Sequence, residues 1–179
     1  MYEWQQFEIK LVRKARKSRS KVQVTSIASL ARVFRQHAEE VDHESIWIAA
    51  FDAAKRLIGI QELYRGTSTT CTVGIAEVFR FPIVLNATSF ALVHNHPSGT
   101  VTPSEPDLAL TKDIYRLASE LQLDFFDSLI IGARGNYRSM RQSLMDSADP
   151  IWHQHLFPGT CAELGELCSH QEISLEQTA

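Results

Sequence analysis

Residues 90–107, FALVHNHPSGTVTPSEPD, restrict the fold of this chain more than any other stretch. The apolar run from Phe90 to Val93 is typical of a buried strand, and the Pro, Ser and Gly content of 97–103 predicts a loop. Ser104 then offers an N-cap, and the apolar stripe that follows it, ending at Leu121, predicts a helix. A buried strand joined through a short loop to an amphipathic helix indicates a sheet with helices packed on it.

Two histidines end the predicted strand. Residues i and i+2 of a strand point to the same face, so His94 and His96 can present both imidazoles to one point. Asp107, in the first turn of the helix, can fold back over the strand end as a third ligand. Two imidazoles and a carboxylate suit Zn²⁺, and three protein ligands leave the fourth tetrahedral position to water, as in catalytic rather than structural zinc sites.

The same residues also have a purely structural interpretation. Ser104 and Asp107 form a near capping box, in which Asp107 would serve only to close the N-terminus of the helix. Pairs of the type His-x-His likewise occur on protein surfaces without any metal. The conjunction of two histidines and a carboxylate in this order favours the metal site.

The remaining elements follow from the spacing of apolar residues. Period-two alternation and short apolar runs predict strands, whereas three-and-four spacing predicts helices. In chain order these are a strand at 7–11 with Val22 and Val24 pairing back, a helix from Ile27 to about Val41, strands at 46–51 and 57–63, a helix at 75–79 that Pro82 kinks or ends, and a strand at 129–131. This order predicts an α/β (α+β) fold with a single mixed sheet flanked by helices.

The composition fits one ordinary globular domain. The chain has 179 residues, of which 44% are hydrophobic and 22% charged, which argues against wholesale disorder or a fibrous repeat. No apolar run approaches the roughly 20 residues of a membrane span, and the first twenty residues carry no signal-peptide core, so we expect a cytoplasmic location and no membrane partner. Three cysteines without a C-x-x-C pair argue against a disulfide framework.

Charge is distributed unevenly along the chain. The net charge is −3, yet residues 10–21 contain seven Lys and Arg and no acid. This segment is compatible with nucleic acid, with an acidic protein partner or with a solvated hairpin tip, and no aromatic residue within it supports base stacking. We expect a basic arm or hairpin at 1–21, a globular domain at 22–145 and a loosely attached tail at 146–179. The tail carries apolar residues suited to docking on the body or on a second copy in a homo-oligomer: Trp152, Leu156 and Phe157.

One group of motifs resembles a known family. His94-x-His96-Pro97 followed by Ser104-x-x-Asp107 is similar to the signature of the JAMM/MPN metallopeptidases, and the wording HNHPSG resembles their RadC branch. The likeness extends over roughly residues 22–142, through GT at 66–67, EVFR at 77–80, NA at 86–87 and LIIG at 129–132. The resemblance implies a JAMM/MPN domain of cytidine-deaminase-like architecture in which His94, His96 and Asp107 bind Zn²⁺.

The resemblance also implies a division of labour. Ser104 would steady the oxyanion of a tetrahedral intermediate, and a glutamate on an early strand would accept the proton of the attacking water. Glu44 directly precedes an apolar strand, as the base does in the family, and is our candidate; Glu62, at the end of the next strand, is the runner-up. The implied activity is a zinc-dependent hydrolase that cleaves a peptide or isopeptide bond in a protein or peptide substrate.

Two departures from the family pattern keep other functions open. RadC-like chains usually carry a histidine after the aspartate that precedes LIIG, whereas this chain has Asp127-Ser128, which is compatible with a catalytically silent scaffold. Full-length RadC proteins also carry an N-terminal helix-hairpin-helix module, and the expectation here is a short form without it. The basic residues 10–21 leave a DNA-associated module, in DNA repair or a mobile element, as a further alternative.

Overall fold

The computed structural model describes residues 22–39, 41–66 and 73–146. The strand predicted at 7–11, the basic arm and the tail lie outside these ranges and stay predictions. The described elements, in chain order, are α1 (Ile27–Glu39), β1 (Glu44–Phe51), β2 (Leu57–Gly66), α2 (Ile75–Val84), β3 (Ser89–Asn95), α3 (Glu105–Glu120), β4 (Asp124–Ile131), a 3₁₀ turn (Ala133–Gly135), β5 (Tyr137–Ser139) and α4 (Met140–Asp146).

The five strands form one sheet in the order β2-β1-β3-β4-β5. β1 pairs antiparallel with both β2 and β3, β3 pairs parallel with β4, and β4 pairs antiparallel with β5. Helices pack on this sheet from both sides. The predicted α+β fold with a single mixed sheet flanked by helices is therefore confirmed.

The alternation of side chains gives the sheet two buried faces. The first, called the α3 face here, carries Ile48 and Leu92 and packs against helices α2 and α3, where Ile114 lies fully buried. The second, the α1 face, carries Trp47, which packs against Phe34 of α1. Because β1 and β3 are covered on both faces, their sequences are continuous apolar runs rather than alternating ones.

The strand directions bring three chain segments together at one end of the sheet. β3 and β4 are parallel, so their carboxyl ends lie side by side, and the N–H of His96 donates to the carbonyl of Ile131 at 3.0 Å just beyond the paired residues. β1 runs antiparallel to β3, which places its first residue, Glu44, at the same end. The loop from β3 to α3, the turn after β4 and the start of β1 therefore meet there.

The helix boundaries differ slightly from those predicted. Pro82 lies inside α2, which continues to Val84, so the helix does not end at the proline. In the last turn a proline removes only one helical N–H donor, and the burial of the Pro82 side chain offsets that loss. α1 ends at Glu39, slightly before the predicted end. None of the helices in the described ranges combines the length and apolarity that a bilayer span requires.

β4 begins at Asp124, earlier than the predicted start at Leu129. The prediction missed this part of the strand because two polar residues, Asp127 and Ser128, are buried within it and interrupt the apolar pattern. Asp127 Oδ1 accepts the backbone N–H of Ser128 at 2.7 Å and of Arg141 at 3.0 Å, and its Oδ2 accepts the hydroxyl of Ser139. Burial raises the pKa of Asp127, and these hydrogen bonds oppose the rise. The buried carboxyl group thus ties β4 to β5 and α4, a role that hydrophobic periodicity does not reveal.

Candidate metal centre

The two histidines of the His-x-His pair lie at the end of β3, and their rings converge. His94 pairs with Ile46 of β1 and its side chain is 3% exposed, whereas the side chain of His96, just after the strand, is 15% exposed. Their Nε2 atoms lie 3.2 Å apart. Burial lowers the pKa of His94 to about 4, so its ring is neutral near pH 7 and retains a nitrogen lone pair that a metal can use.

Asp107 joins the histidines from the first turn of α3. Its Oδ1 lies 3.4 Å from His94 Nε2, and its Oδ2 lies 3.9 Å from His96 Nε2. The same Oδ2 accepts the backbone N–H of Ser104 at 2.9 Å, while the N–H of Asp107 donates to Ser104 Oγ at 3.3 Å, which completes a capping box. The two interpretations of Asp107 are therefore compatible, because helix capping fixes the carboxylate that faces the histidines.

The other ring nitrogen of His96 is held by the loop that follows it. His96 Nδ1 lies 3.1 Å from the carbonyl oxygen of Thr100. A carbonyl oxygen only accepts hydrogen bonds, so Nδ1 donates to it, and the Nε2 atom of His96 faces His94 and Asp107. A backbone carbonyl that orients a histidine in this way is the usual partner of a metal-ligating imidazole.

Two glycines let the loop carrying Thr100 lie against the turn after β4. Gly99 has φ +81°, a conformation that favours glycine, and its carbonyl accepts the N–H of Ala133 at 3.3 Å. A Cβ on Gly132 would lie 2.5 Å from the Gly99 carbonyl oxygen and 2.8 Å from Val101 Cγ1. The absence of a side chain at Gly132 is therefore required for the loop position that fixes His96.

Replacing Gly132 with Ala is expected to lower the free energy of unfolding by about 1–3 kcal/mol, because the new methyl group collides with a backbone oxygen that has little room to move. It should also weaken zinc binding by about 10–100-fold, since the Thr100 carbonyl is displaced from His96. Denaturant unfolding and zinc titration measure both effects. Gly74→Ala is the matched control, because a Cβ at Gly74 meets nothing closer than 3.7 Å. Equal zinc affinity in Gly132→Ala and the native protein would contradict this role of the loop.

The donor atoms of His94, His96 and Asp107 fit a zinc ion. Two ligands of a tetrahedral Zn²⁺, each at 2.0–2.1 Å from the metal, are about 3.3 Å apart. The nitrogen pair at 3.2 Å and the His94 to Asp107 pair at 3.4 Å agree with this spacing, and one donor atom from each residue lies within 4.8 Å of the other two. Among the described residues, no other group of three His, Cys, Asp or Glu side chains meets this condition.

Glu44 lies beside these three residues. As the first residue of β1 it shares the α3 face with Ile46, the partner of His94. Burial raises the pKa of the Glu44 carboxyl group; the charge of His96 opposes the rise and that of Asp107 adds to it. The structure thus brings Glu44 to the centre, as the sequence-based hypothesis requires, while its role as a base stays a prediction.

Glu62 is not brought to the centre. It pairs with Trp47, whose side chain lies on the opposite, α1 face of the sheet. Its carboxylate accepts the hydroxyl of Ser45 at 3.0 Å and the guanidinium of Arg65 at 2.9 Å. The hydrogen bond from Arg65 is the main reason why the pKa of Glu62 is lowered. The runner-up is therefore an ion-paired side chain on the wrong face of the sheet for proton transfer at His94 and His96.

Ser104 lies next to the three candidate ligands and is exposed. Its hydroxyl donates to Asp107 Oδ2 at 2.6 Å, in addition to the capping contacts. The predicted position near a reacting carbonyl is compatible with this geometry, but the hydroxyl proton is directed at Asp107. Donation to an oxyanion therefore requires rotation of the Ser104 side chain, and that role stays a prediction.

Ser128 stands where the family pattern predicts a histidine. It pairs with Leu92, which precedes His94 by two residues on β3. The side chain of Ser128 therefore lies on the α3 face, one residue pair further into the sheet than His94. Ser128 is fully buried, and its hydroxyl has no hydrogen-bond partner within the described part of the chain. The departure from the family pattern is thus located in the layer beneath the candidate ligands.

Comparison with known proteins identifies the domain to which this centre belongs. The sequence profile described as "RadC-like JAB domain" matches residues 24–145, which is more than half of the chain. The chain belongs to the RadC-like JAB domain family. The resemblance inferred from the motifs is therefore confirmed, and the RadC-like JAB domain accounts for the described residues except the first two and the last.

Relatives of this RadC-like JAB domain protein occur in several bacteria. It is 39% identical over 118 residues to a "UPF0758 protein" of Roseiflexus sp. (strain RS-1), which is 66% of this chain and 49% of that one. It is 41% identical over 100 residues to one of Cyanothece sp., covering 56% and 41% of the two chains, and 30% identical over 127 residues to one of Microcystis aeruginosa, covering 71% and 52%. The chain thus spans about half the length of these relatives, whose names state no substrate or activity.

Proposed function

We propose that this RadC-like JAB domain is a zinc-dependent hydrolase of the JAMM type that cleaves a peptide or isopeptide bond. The observation that carries the proposal is the convergence of two imidazoles and one carboxylate at zinc-ligand spacing, with Glu44 on the same face of the sheet. The ligand side chains of His96 and Asp107 are 15% and 20% exposed, so the centre is accessible from one side. An accessible site with three ligands is typical of catalytic zinc and not of structural zinc.

His94, His96 and Asp107 would hold the metal. A zinc ion bound there supplies a Lewis acid that makes water acidic enough to lose a proton near neutral pH. The protein's own contribution is orientation: the Thr100 carbonyl fixes the ring of His96, and the Ser104 capping box fixes the carboxylate of Asp107. The centre is thus held by three separate backbone anchors, in β3, in the loop after it and at the start of α3.

Glu44 would move the proton in the hydrolysis. Water attacks the carbonyl carbon, and one of its protons passes to the Glu44 carboxylate. A C–O bond forms and the C–N bond breaks, and Glu44 then returns that proton to the leaving nitrogen, so that an amine and a carboxylic acid are released. Ser104 would donate its hydroxyl to the oxygen that becomes negative during the attack.

The test is metal-dependent cleavage by the purified, zinc-loaded protein. The probes are a quenched fluorescent peptide library with randomised positions and a quenched pair of peptides joined through a lysine side chain. We expect cleavage that stops when 1,10-phenanthroline removes the metal and returns when Zn²⁺ is restored. If the zinc-loaded protein cleaves no member of either set, the hydrolase proposal is rejected and the catalytically silent alternative suggested by Ser128 is supported.

A further inference from the structure

Asn95 lies between the two histidines and points away from them. Successive side chains of a strand alternate between faces, so Asn95 is directed to the face opposite His94 and His96. It is 2% exposed and ends β3. A buried amide at this position must have hydrogen-bond partners, since leaving its polar groups unpaired costs about 1–3 kcal/mol.

The partners of Asn95 lie on either side of Glu44. Asn95 Oδ1 accepts the backbone N–H of Ser45 at 2.8 Å, and its Nδ2 donates to the backbone carbonyl of His43 at 3.0 Å. Ser45 is itself fully buried. The Asn95 side chain, on the strand that carries His94, is therefore hydrogen-bonded to the main chain immediately before and immediately after Glu44, the proposed base.

This contact replaces backbone pairing where the ladder between β1 and β3 stops. The last paired residues of that ladder at this end are Ile46 and His94. Beyond them, the first residues of β1 pair with β2, an edge strand, and the Asn95 amide is the described hydrogen-bonding link back to β3. The Asn95 side chain thus links the main chain on both sides of Glu44 directly to the strand that carries His94.

We propose that Asn95 is a positioning residue that holds Glu44 at the metal centre, an inference that rests on the hydrolase function proposed above. The task requires one acceptor and one donor on a short side chain. Asp has the same size and keeps the acceptor for Ser45, but its carboxylate cannot donate to the His43 carbonyl and repels it. Asn95→Asp therefore removes the hydrogen bond to the His43 carbonyl and keeps the one from the Ser45 N–H, with almost no change in side-chain volume.

The experiment compares zinc-loaded native protein, Asn95→Asp and Asn95→Ser, with Ser89→Ala as the matched control. Ser89 is a buried polar residue at the other end of β3, and its hydroxyl has no partner within the described residues. Three quantities are measured for each protein: zinc per chain, kcat and KM on one quenched peptide chosen from the library, and the position of Glu44 in a crystal structure of the zinc-loaded form. Two Asn95 variants are used so that one that fails to fold does not end the test.

We expect an Asn95 variant to keep one zinc per chain and an unchanged KM, to lose about 10–100-fold in kcat, and to show Glu44 displaced from the metal. The Ser89→Ala control should match the native protein in all three measurements. The proposal is overturned if Glu44 keeps its place in the crystal structures, or if zinc is lost together with activity. If the native protein cleaves nothing, the hydrolase proposal alone fails, and the crystallographic position of Glu44 still decides whether Asn95 holds it.

Discussion

Replacing Glu44 with Gln is expected to reduce the rate of peptide cleavage by a factor of about 10²–10⁴ while one zinc ion per chain remains bound. The amide has nearly the same shape as the carboxyl group but cannot accept the proton of the attacking water. Because the proposed metal ligands are His94, His96 and Asp107, the affinity for zinc should change little. Cleavage of the quenched peptide and elemental analysis of the same preparation measure the two effects.

Glu62→Gln is the matched control for this substitution. Glu62 lies on the neighbouring strand, and a glutamine there still offers an oxygen to the Ser45 hydroxyl. Since its side chain lies on the α1 face, we expect cleavage within about threefold of the native rate, the change an exposed site usually gives. Full activity in Glu44→Gln would exclude Glu44 as the base, and a large loss only in Glu62→Gln would point to the runner-up instead.

The choice between these two glutamates shows where sequence reasoning stops. The register with which β1 pairs with β2 shifts at a β-bulge between Ile46 and Trp47 of β1. Without that bulge, the ladder that pairs Ile46 with Tyr64 would continue to pair Ile48 with Glu62, and Glu62 would lie on the α3 face with the histidines. The bulge pairs Glu62 with Trp47 instead, on the opposite face. No pattern in the sequence marks the bulge, so spacing alone could not decide.

What the sequence did reveal depended on burial and on side-chain direction. β1 and β3 are covered on both faces, so their apolar runs were recognisable, and the spacing of His94 and His96 at the end of β3 predicted that both rings lie on one face. The capping signal at Ser104 located the start of α3 and with it Asp107. These features are local, which is why the candidate ligands could be named from sequence and brought together by topology.

The groups that sequence reasoning missed act through the backbone or from buried polar positions. Thr100 orients His96 with a carbonyl that every residue possesses, so its identity carried no signal. The role of Asn95 was not recognised, because the histidines on either side of it drew the interpretation to metal binding. Asp127 and Ser128 interrupted the apolar pattern of β4, although both side chains are buried. The hydrogen bonds that explain these residues join segments far apart in the chain, and a single sequence does not report such contacts.

Replacing His96 with Ala is expected to remove the bound metal, because two remaining donors cannot close a tetrahedral site. Zinc per purified chain should fall from about one to near zero. The native protein at a free zinc concentration of about 1,000 times Kd gains about 4 kcal/mol of stability by linkage, and this gain should drop below about 0.4 kcal/mol once Kd exceeds the zinc concentration. Elemental analysis and thermal unfolding with and without zinc measure both quantities.

His96 is a better choice than His94 for this experiment, because His94 is 3% exposed and its removal would leave a cavity in the core whether or not a metal binds. His43→Ala is the matched control: its side chain is 18% exposed, close to the value for His96, and its Nδ1 is hydrogen-bonded to Asp42 at 2.9 Å. The control should bind zinc and gain stability as the native protein does. Equal zinc content in His96→Ala and His43→Ala would mean that the metal is held elsewhere, and the hydrolase built on this centre would have no support left.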